Sequence, residues 1–267
     1  APQTVYTRAA VARYAAVKFA AIVLATELFT HTIYANALAV SREWLPGRGG
    51  FGPDDVGVTS LMTLNFMWFK FAVIWRFFRL WALMSGVEVP ENMLRCVNNN
   101  ATILGFWKGW HASYNRWLVR YLYVPLGGSR FRLVNVWVVF GFVGVWHDRL
   151  QWRLLQWAGI FAAFLAPELG VQAVARRLFP TPAARDTRVY RMCRAGAGAL
   201  NMHVLIAGNM VGYVVGLDDM WEAFGTYASR RGGWFVAASM CFLMATAHLG
   251  FEQRDGEDRA RRRAKAS

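Results

Sequence analysis

Six long apolar runs dominate this sequence, near residues 11–38, 59–84, 133–147, 152–175, 195–217 and 233–251. A helix that crosses a bilayer needs about 20 mostly apolar residues, and fewer where it is packed inside protein. Several of the runs are interrupted by polar side chains, which points to helices packed on one another rather than bathed in lipid. The pattern predicts an all-α, polytopic integral membrane protein. Its bundle occupies residues 1–251, followed by a basic, cytoplasmic tail at 252–267.

Composition agrees. Hydrophobic residues are 56% of the chain and charged residues 17%, against about 45–50% and about 25% in soluble domains. The net charge of +14 would raise nucleic acid as a partner for a soluble protein. Here the basic residues lie mainly between and after the apolar runs, so membrane lipids are the expected partner and nucleic acid is not. Residues 176–194 carry six arginines against one acid, and the 252–267 tail ends basic. Two helices separate these segments, so both fit the cytoplasmic side. Arg130 and Arg132 then face the same side, and His147 lies across the membrane or partway down. The 46–55 segment, "PGRGGFGPDD", reads as a Gly/Pro loop. The three cysteines are far apart and the five histidines dispersed, which gives neither a disulfide framework nor a metal-ligand spacing.

Two stretches carry unusual chemistry. In the first, "FWKGWHASYNRWLVRYLYVPLGGS" (106–129), a helical winding of 106–121 gathers Phe106, Trp107, Trp110, Tyr114, Trp117, Leu118 and Tyr121 on one arc. Lys108, Arg116 and Arg120 fall on another arc, with His111 and Asn115 on the seam between them. This predicts an amphipathic interfacial or re-entrant helix, ended by "PLGGS". Periodicity alone admits a structural helix whose arginines snorkel to phosphates. It equally admits a site in which the cations hold an anionic substrate and the aromatics wall an acyl chain.

In the second stretch, "VFGFVGVWHD" (139–148), an apolar run ends in His147. Residues 133–146 span about 21 Å as a helix, short of a hydrocarbon core of about 30 Å. With Arg149 and Arg153 ahead of the next apolar run, that run also looks short. Either the hairpin tip is sunk beside a polar cavity or the bilayer is thin there. His147 could cap a helix end, but ionisable groups inside spans lean functional. A buried neutral imidazole can accept a proton as a general base.

Taken together, the two stretches resemble the membrane-bound O-acyltransferase family. "FWKGWH…NRWLVRYLYVPLGGS" is followed, 36 residues after its histidine, by the histidine of "FVGVWHD", and then by "APE" at 166–168. The wording is most similar to the glycerol-uptake branch, related to hedgehog acyltransferase. The resemblance implies an acyl-CoA-dependent acyltransferase in a helical bundle, here its C-terminal portion. The opening "APQTV", without an initiator Met, fits a piece of a longer chain. It implies catalytic roles for His147 and His111. Substrate contacts would come from Lys108, Arg116, Arg120, Asn115, Trp107, Trp110, Tyr114 and Trp146. It implies acyl-CoA as donor substrate with no cofactor, a lipid or glycolipid acceptor, and the endoplasmic reticulum, with GPI-anchor lipid remodelling as one setting. The branch also admits a protein acyltransferase of the hedgehog-acyltransferase type, or a glycerol transport accessory.

Other polar or glycine-rich patterns are expected to be structural. Glu27 and His31, at i,i+4, would pair while buried. "GNMVGYVVG" (208–216) would pack helices closely. His203 is placed to reach the same cavity as His147.

Overall fold

The computed structural model describes residues 6–45, 48, 50–148 and 151–266, so Arg149, the opening "APQTV" and parts of the 46–55 loop lie outside the described residues. The described chain contains helices and connecting turns, with no strand. Among the described residues, five helical rods are long and apolar enough to cross a membrane. The first runs from Arg8 to Thr32 and comprises α1 (Arg8–Tyr14), a π-helical turn (Ala15–Ala20) and α2 (Ala21–Thr32). A break at Ile33–Tyr34 separates it from α3 (Ala35–Ser41), so the 11–38 run is not one helix. The second rod is α4 (Pro53–Met84). The third is α7 (Arg132–His147) with the turn before it, the fourth α8 (Trp152–Leu178), and the fifth α12 (Arg230–Ala266).

After the single turn α9 (Pro182–Arg185), most of the 195–217 run lies in α10 (Arg188–Tyr213), which ends four residues before the run does, is less apolar than these five and lies at the bundle's centre. It packs against α12, α8 and α4, and buries Gly198, Met202, Leu205, Met210 and Val211. A helix shielded by protein on most sides can carry Asn201, His203 and Asn209 without exposing them to lipid. Gly208 and Gly212 explain how α8 comes so close. A Cβ at Gly208 would lie 2.8 Å from the Phe161 ring, and one at Gly212 2.6 Å from the Trp157 ring. The close packing expected of "GNMVGYVVG" is present at this seam.

Ion pairs mark the two ends of the bundle. At one end Arg194 meets Asp255 at 2.7 Å, Arg191 meets Glu252 at 3.4 Å, and Arg95 meets Glu257 at 2.6 Å. At the other, Arg231 meets Asp54 at 2.7 Å and Arg42 meets Asp219 at 2.8 Å, on α11 (Leu217–Tyr227). The first end gathers the C-termini of α8 and α12 with the N-terminus of α10, which are the arginine-rich segments.

Three expectations need correction. Residues 252–266 are not a separate tail: α12 continues through them, because Glu252, Asp255 and Glu257 pair back onto the bundle. The run after His147 is not short, because α8 extends over 27 residues to Leu178. Glu27 and His31 do pair, at 3.4 Å, but their side chains are 63% and 81% exposed.

Candidate active site

Residues 106–121 do not form one helix. α5 (Ile103–Gly109) ends at Trp110, His111 takes the left-handed conformation (φ 46°, ψ 55°), and α6 (Ala112–Leu118) starts anew before a π-helical turn at Val119–Tyr123. The 3.6-residue periodicity therefore breaks at His111, and the single aromatic arc is divided. Trp107, Trp110 and Tyr114 turn into the protein, whereas Trp117 and Tyr121 are exposed.

A non-glycine residue at positive φ is uncommon, histidine being among the more tolerant, and such strain persists only where the surroundings over-determine it. They do so here. The Asn92 carbonyl accepts from the Ala112 N–H at 3.0 Å, and Asn92 Oδ1 accepts from the Ser113 N–H at 2.9 Å. One turn earlier the Leu94 N–H donates to the Gly109 carbonyl at 3.1 Å. The 92–94 strap thus holds the kink from outside. From inside, Trp75 of α4 stacks on the His111 ring with centroids 4.8 Å apart.

The turn that ends the segment is fixed as well. Gly127 and Gly128 both have positive φ, 91° and 55°, which is the role of the double glycine in "PLGGS". Asn135, 3% exposed, donates to the carbonyls of Leu126 and Gly128 at 3.1 and 2.9 Å. This fixes the turn on the first part of α7.

His147 is the last residue of α7. Its ring stands edge-on to Trp157 (6.0 Å), Tyr213 (5.9 Å) and Trp146 (5.0 Å). Trp157 is fully buried and its Nε1–H donates to Asn209 Oδ1 at 3.2 Å, so the floor beneath His147 is rigid. Tyr114 stacks on Trp146 at 4.4 Å and lies 5.3 Å from the His111 ring, which links the two histidine segments through aromatic faces.

His111 and His147 both line two cavities, and with Trp107 and Trp110 they form the wall common to both. The first cavity, about 350 Å³, follows α7 from Arg132 to His147 and is mostly apolar. Lys108, Tyr114, Asn115 and Arg132 also line it. The second, about 640 Å³, lies between α4, α10 and α12 and carries amides and hydroxyls, among them Asn36, Thr63, Asn209 and Tyr213, with Trp146 at its edge. Trp107 Nε1 and Tyr114 Oη are buried without a hydrogen-bond partner among the described residues. Burial pushes the Tyr114 hydroxyl up to about 12, so it stays protonated and able to donate. Burial first, and the nearby His147 second, hold the His111 imidazole below its ordinary value.

Of the sequence-derived candidates, Lys108, His111, Tyr114, Asn115, Trp107, Trp110, Trp146 and His147 converge on these cavities. Arg116 and Arg120 are exposed and line neither. His203 is also elsewhere: its ring bonds the Ala199 carbonyl and Ser239 Oγ. Trp75, Trp157, Asn92, Asn209 and Tyr213 were not legible as site residues, because each reaches the site from a distant part of the chain. The only local hint was Gly109, two residues before the kink.

A helical membrane bundle with two histidines on a wall between two cavities defines a class of intramembrane site. Comparison with known proteins gives the family: residues 57–202 match the model of the membrane-bound O-acyltransferase family, and the chain belongs to that family. It is 35% identical over 249 residues to the membrane-bound O-acyltransferase GUP1 of Candida tropicalis, covering 91% of this chain and 40% of that protein. It is 36% identical to GUP1 of Saccharomyces cerevisiae, covering 92% and 42%. Mouse protein-cysteine N-palmitoyltransferase HHAT is more distant, at 27% identity over 84% of this chain and 45% of its own length. The chain therefore spans less than half the length of these relatives.

Proposed function

We propose that the protein of which this chain is part transfers a long-chain fatty acyl group from acyl-CoA to a hydroxyl of a lipid acceptor, with His147 as general base. The observation that carries this reading is the position of His111 and His147 on the wall between the two cavities. A donor and an acceptor lying one in each cavity would meet at the histidines, which is the proximity a two-substrate transfer requires.

The first cavity suits the donor. Arg132 and Lys108 would hold the CoA phosphates and the apolar stretch along α7 would take the acyl chain. The arginine-rich end of the bundle would face the cytoplasm, where acyl-CoA is made available. The second cavity, with its amides and hydroxyls, suits the acceptor head group. His147 takes the proton from the acceptor hydroxyl as its oxygen attacks the thioester carbonyl. The C–S bond then breaks, and the CoA thiolate leaves with that proton. His111, Asn115 and the unpartnered Tyr114 Oη are the groups available to orient the acceptor or stabilise the oxyanion. No metal or cofactor enters the scheme.

A hydroxyl is favoured over a protein amine because the more similar relatives carry O-acyltransferase names. Within that class we place the protein in the endoplasmic reticulum and its acceptor among GPI-anchor lipids. The test is transfer from labelled long-chain acyl-CoA in membranes expressing the full-length protein, beside His147→Ala. The expected result is a labelled lipid with the wild type, at least about a hundredfold less with the variant, consistent with loss of a general base, and retained acyl-CoA binding. Equal labelling by both proteins would sink the proposal. A labelled protein product would move the acceptor to the class of the mouse relative.

A further inference from the structure

Glu168 has no part in the scheme above, yet it is a carboxylate 5% exposed in the middle of a membrane helix. Burying such a group without partners is costly, so its contacts ask for explanation. Its Oε2 accepts from the Ile103 N–H at 2.7 Å, and its Oε1 accepts from Gln172 Nε2 at 3.0 Å. The Ile103 N–H is the first of α5, one of the amides with no partner inside the helix. A second such amide, of Gly105, is taken by Thr102 Oγ1 at 3.1 Å. A carboxylate is well placed there, because it offers only acceptors and faces the positive end of the helix.

The consequence lies at the other end of α5. That helix is seven residues long, about 10 Å, and His111 follows it by two residues. Beyond His111, the Asn92 strap holds Ala112 and Ser113. The kink that presents His111 is therefore fixed at both ends, by Glu168 before it and Asn92 after it. Leu165 and Leu169, which flank Glu168 on α8, line the first cavity, as do Ile103 and Leu104 on α5. Glu168 thus joins two walls of that cavity.

We propose that Glu168 is a positioning residue: its carboxylate pins the start of α5 to α8, and through that short rigid helix sets where His111 stands relative to His147. The inference rests on the reading of the two histidines as the reacting site. It calls for two separate readouts in the full-length protein, one kinetic and one independent of turnover.

Glu168→Gln keeps an acceptor for the Ile103 N–H, and Gln172 can turn its amide to accept from the new one. Its turnover should stay within about threefold of wild type. Glu168→Ala removes both acceptors, and turnover should fall about 10- to 100-fold, the cost of misplacing a reacting group by roughly 1 Å. The KM for acyl-CoA should rise by no more than about tenfold, because Lys108 rides on α5 while Arg132, on α7, is untouched. Glu168→Asp, one methylene shorter, keeps the charge but falls short of Ile103 and should lose about tenfold. It serves as the informative variant if the alanine form does not accumulate.

The second readout is carbethoxylation by diethyl pyrocarbonate, mapped by peptide mass spectrometry. The rate at His111 should change at least about fivefold in Glu168→Ala, while exposed His31 serves as an internal reference. Full activity of the aspartate variant, or unchanged His111 reactivity in both the alanine and aspartate variants, would overturn the proposal. So would a glutamine variant as slow as the alanine one, which would make the charge itself the requirement. If His147→Ala keeps full activity the functional reading falls, and the modification rates still judge whether Glu168 positions His111.

Discussion

Trp75 lies nearly flat on His111, with ring centroids 4.8 Å apart and planes inclined by 24°. Two effects of this stack oppose one another. An aromatic face attracts the imidazolium, whereas removing water disfavours it. Desolvation wins, since the His111 imidazole is held below its ordinary value with burial as the leading cause. His111 is therefore neutral at physiological pH, and the titration midpoint of its ring, read by NMR, should fall below the ordinary histidine value of about 6.5. Trp75→Ala admits water and should move that midpoint to higher pH. A His111 titration that coincides with wild type would mean Trp75 does not control His111.

The same shift links pH to stability. The unfolded chain takes up the His111 proton near pH 6.5 and the folded chain only at lower pH, so the unfolded state holds more protons in between. The contribution is complete above about pH 6.5 and is lost as pH falls through the folded value. Thermal unfolding of detergent-solubilised protein should show less acid destabilisation in His111→Asn than in wild type as pH falls below about 6.5. Parallel curves would count against it.

Gly212 tests the floor under His147. A Cβ there would meet three Trp157 atoms at 2.6–2.8 Å, and Trp157 stands edge-on to His147. Because Trp157 is fully buried, it cannot swing clear. Gly212→Ala should cost about 1–3 kcal/mol by overpacking and lower turnover as well. Gly170→Ala, at an exposed helical site with nothing within 4 Å, should change stability by no more than about 1 kcal/mol, in the stabilising direction. Melting both variants decides the matter, and similar melting points would refute the packing argument.

How much of this was legible in the sequence depends on the range of each interaction. His111 and His147 stood out because polar residues are rare in apolar runs. The central place of α10 did not, because Asn201, His203 and Asn209 make it look less like a membrane helix than its neighbours. The kink at His111 was hidden because periodicity carries smoothly through 106–121. What breaks the helix is Asn92, roughly twenty residues upstream, and no local pattern encodes that contact. Glu168 was visible only as a word in "APE"; its partner Ile103 is 65 residues away. Arg116 and Arg120 were given to the site by a helical phase that the kink resets.

Asn135 joins the turn to the cavity mouth. Replacing it with alanine removes the donor to the carbonyls of Leu126 and Gly128 in a half-buried turn, a loss of about 0.5–1.5 kcal/mol for each bond. The turn precedes Arg132, which lines the donor cavity. Asn135→Ala should therefore raise the KM for acyl-CoA more than it lowers turnover. A fall in turnover with KM unchanged would place the turn's role at the histidines instead.

The cations give the sharpest division. Lys108 and Arg132 line the first cavity, while Arg116 and Arg120, on the same stretch of chain, are exposed and line neither. If the cavity takes acyl-CoA, charge-assisted contacts to its phosphates come from the first pair. Lys108→Ala and Arg132→Ala should each raise the KM about tenfold, a loss of about 1.4 kcal/mol per contact. The KM of each variant should also respond less to salt than wild type does, because one screened contact is gone. Arg116→Ala and Arg120→Ala should stay within about twofold, since a charge outside the binding path contributes little. The comparison separates site from surface within one segment. Were Arg116 or Arg120 to matter as much as Lys108, the donor would have to lie along the outer face of α6, and the assignment of the first cavity would fail.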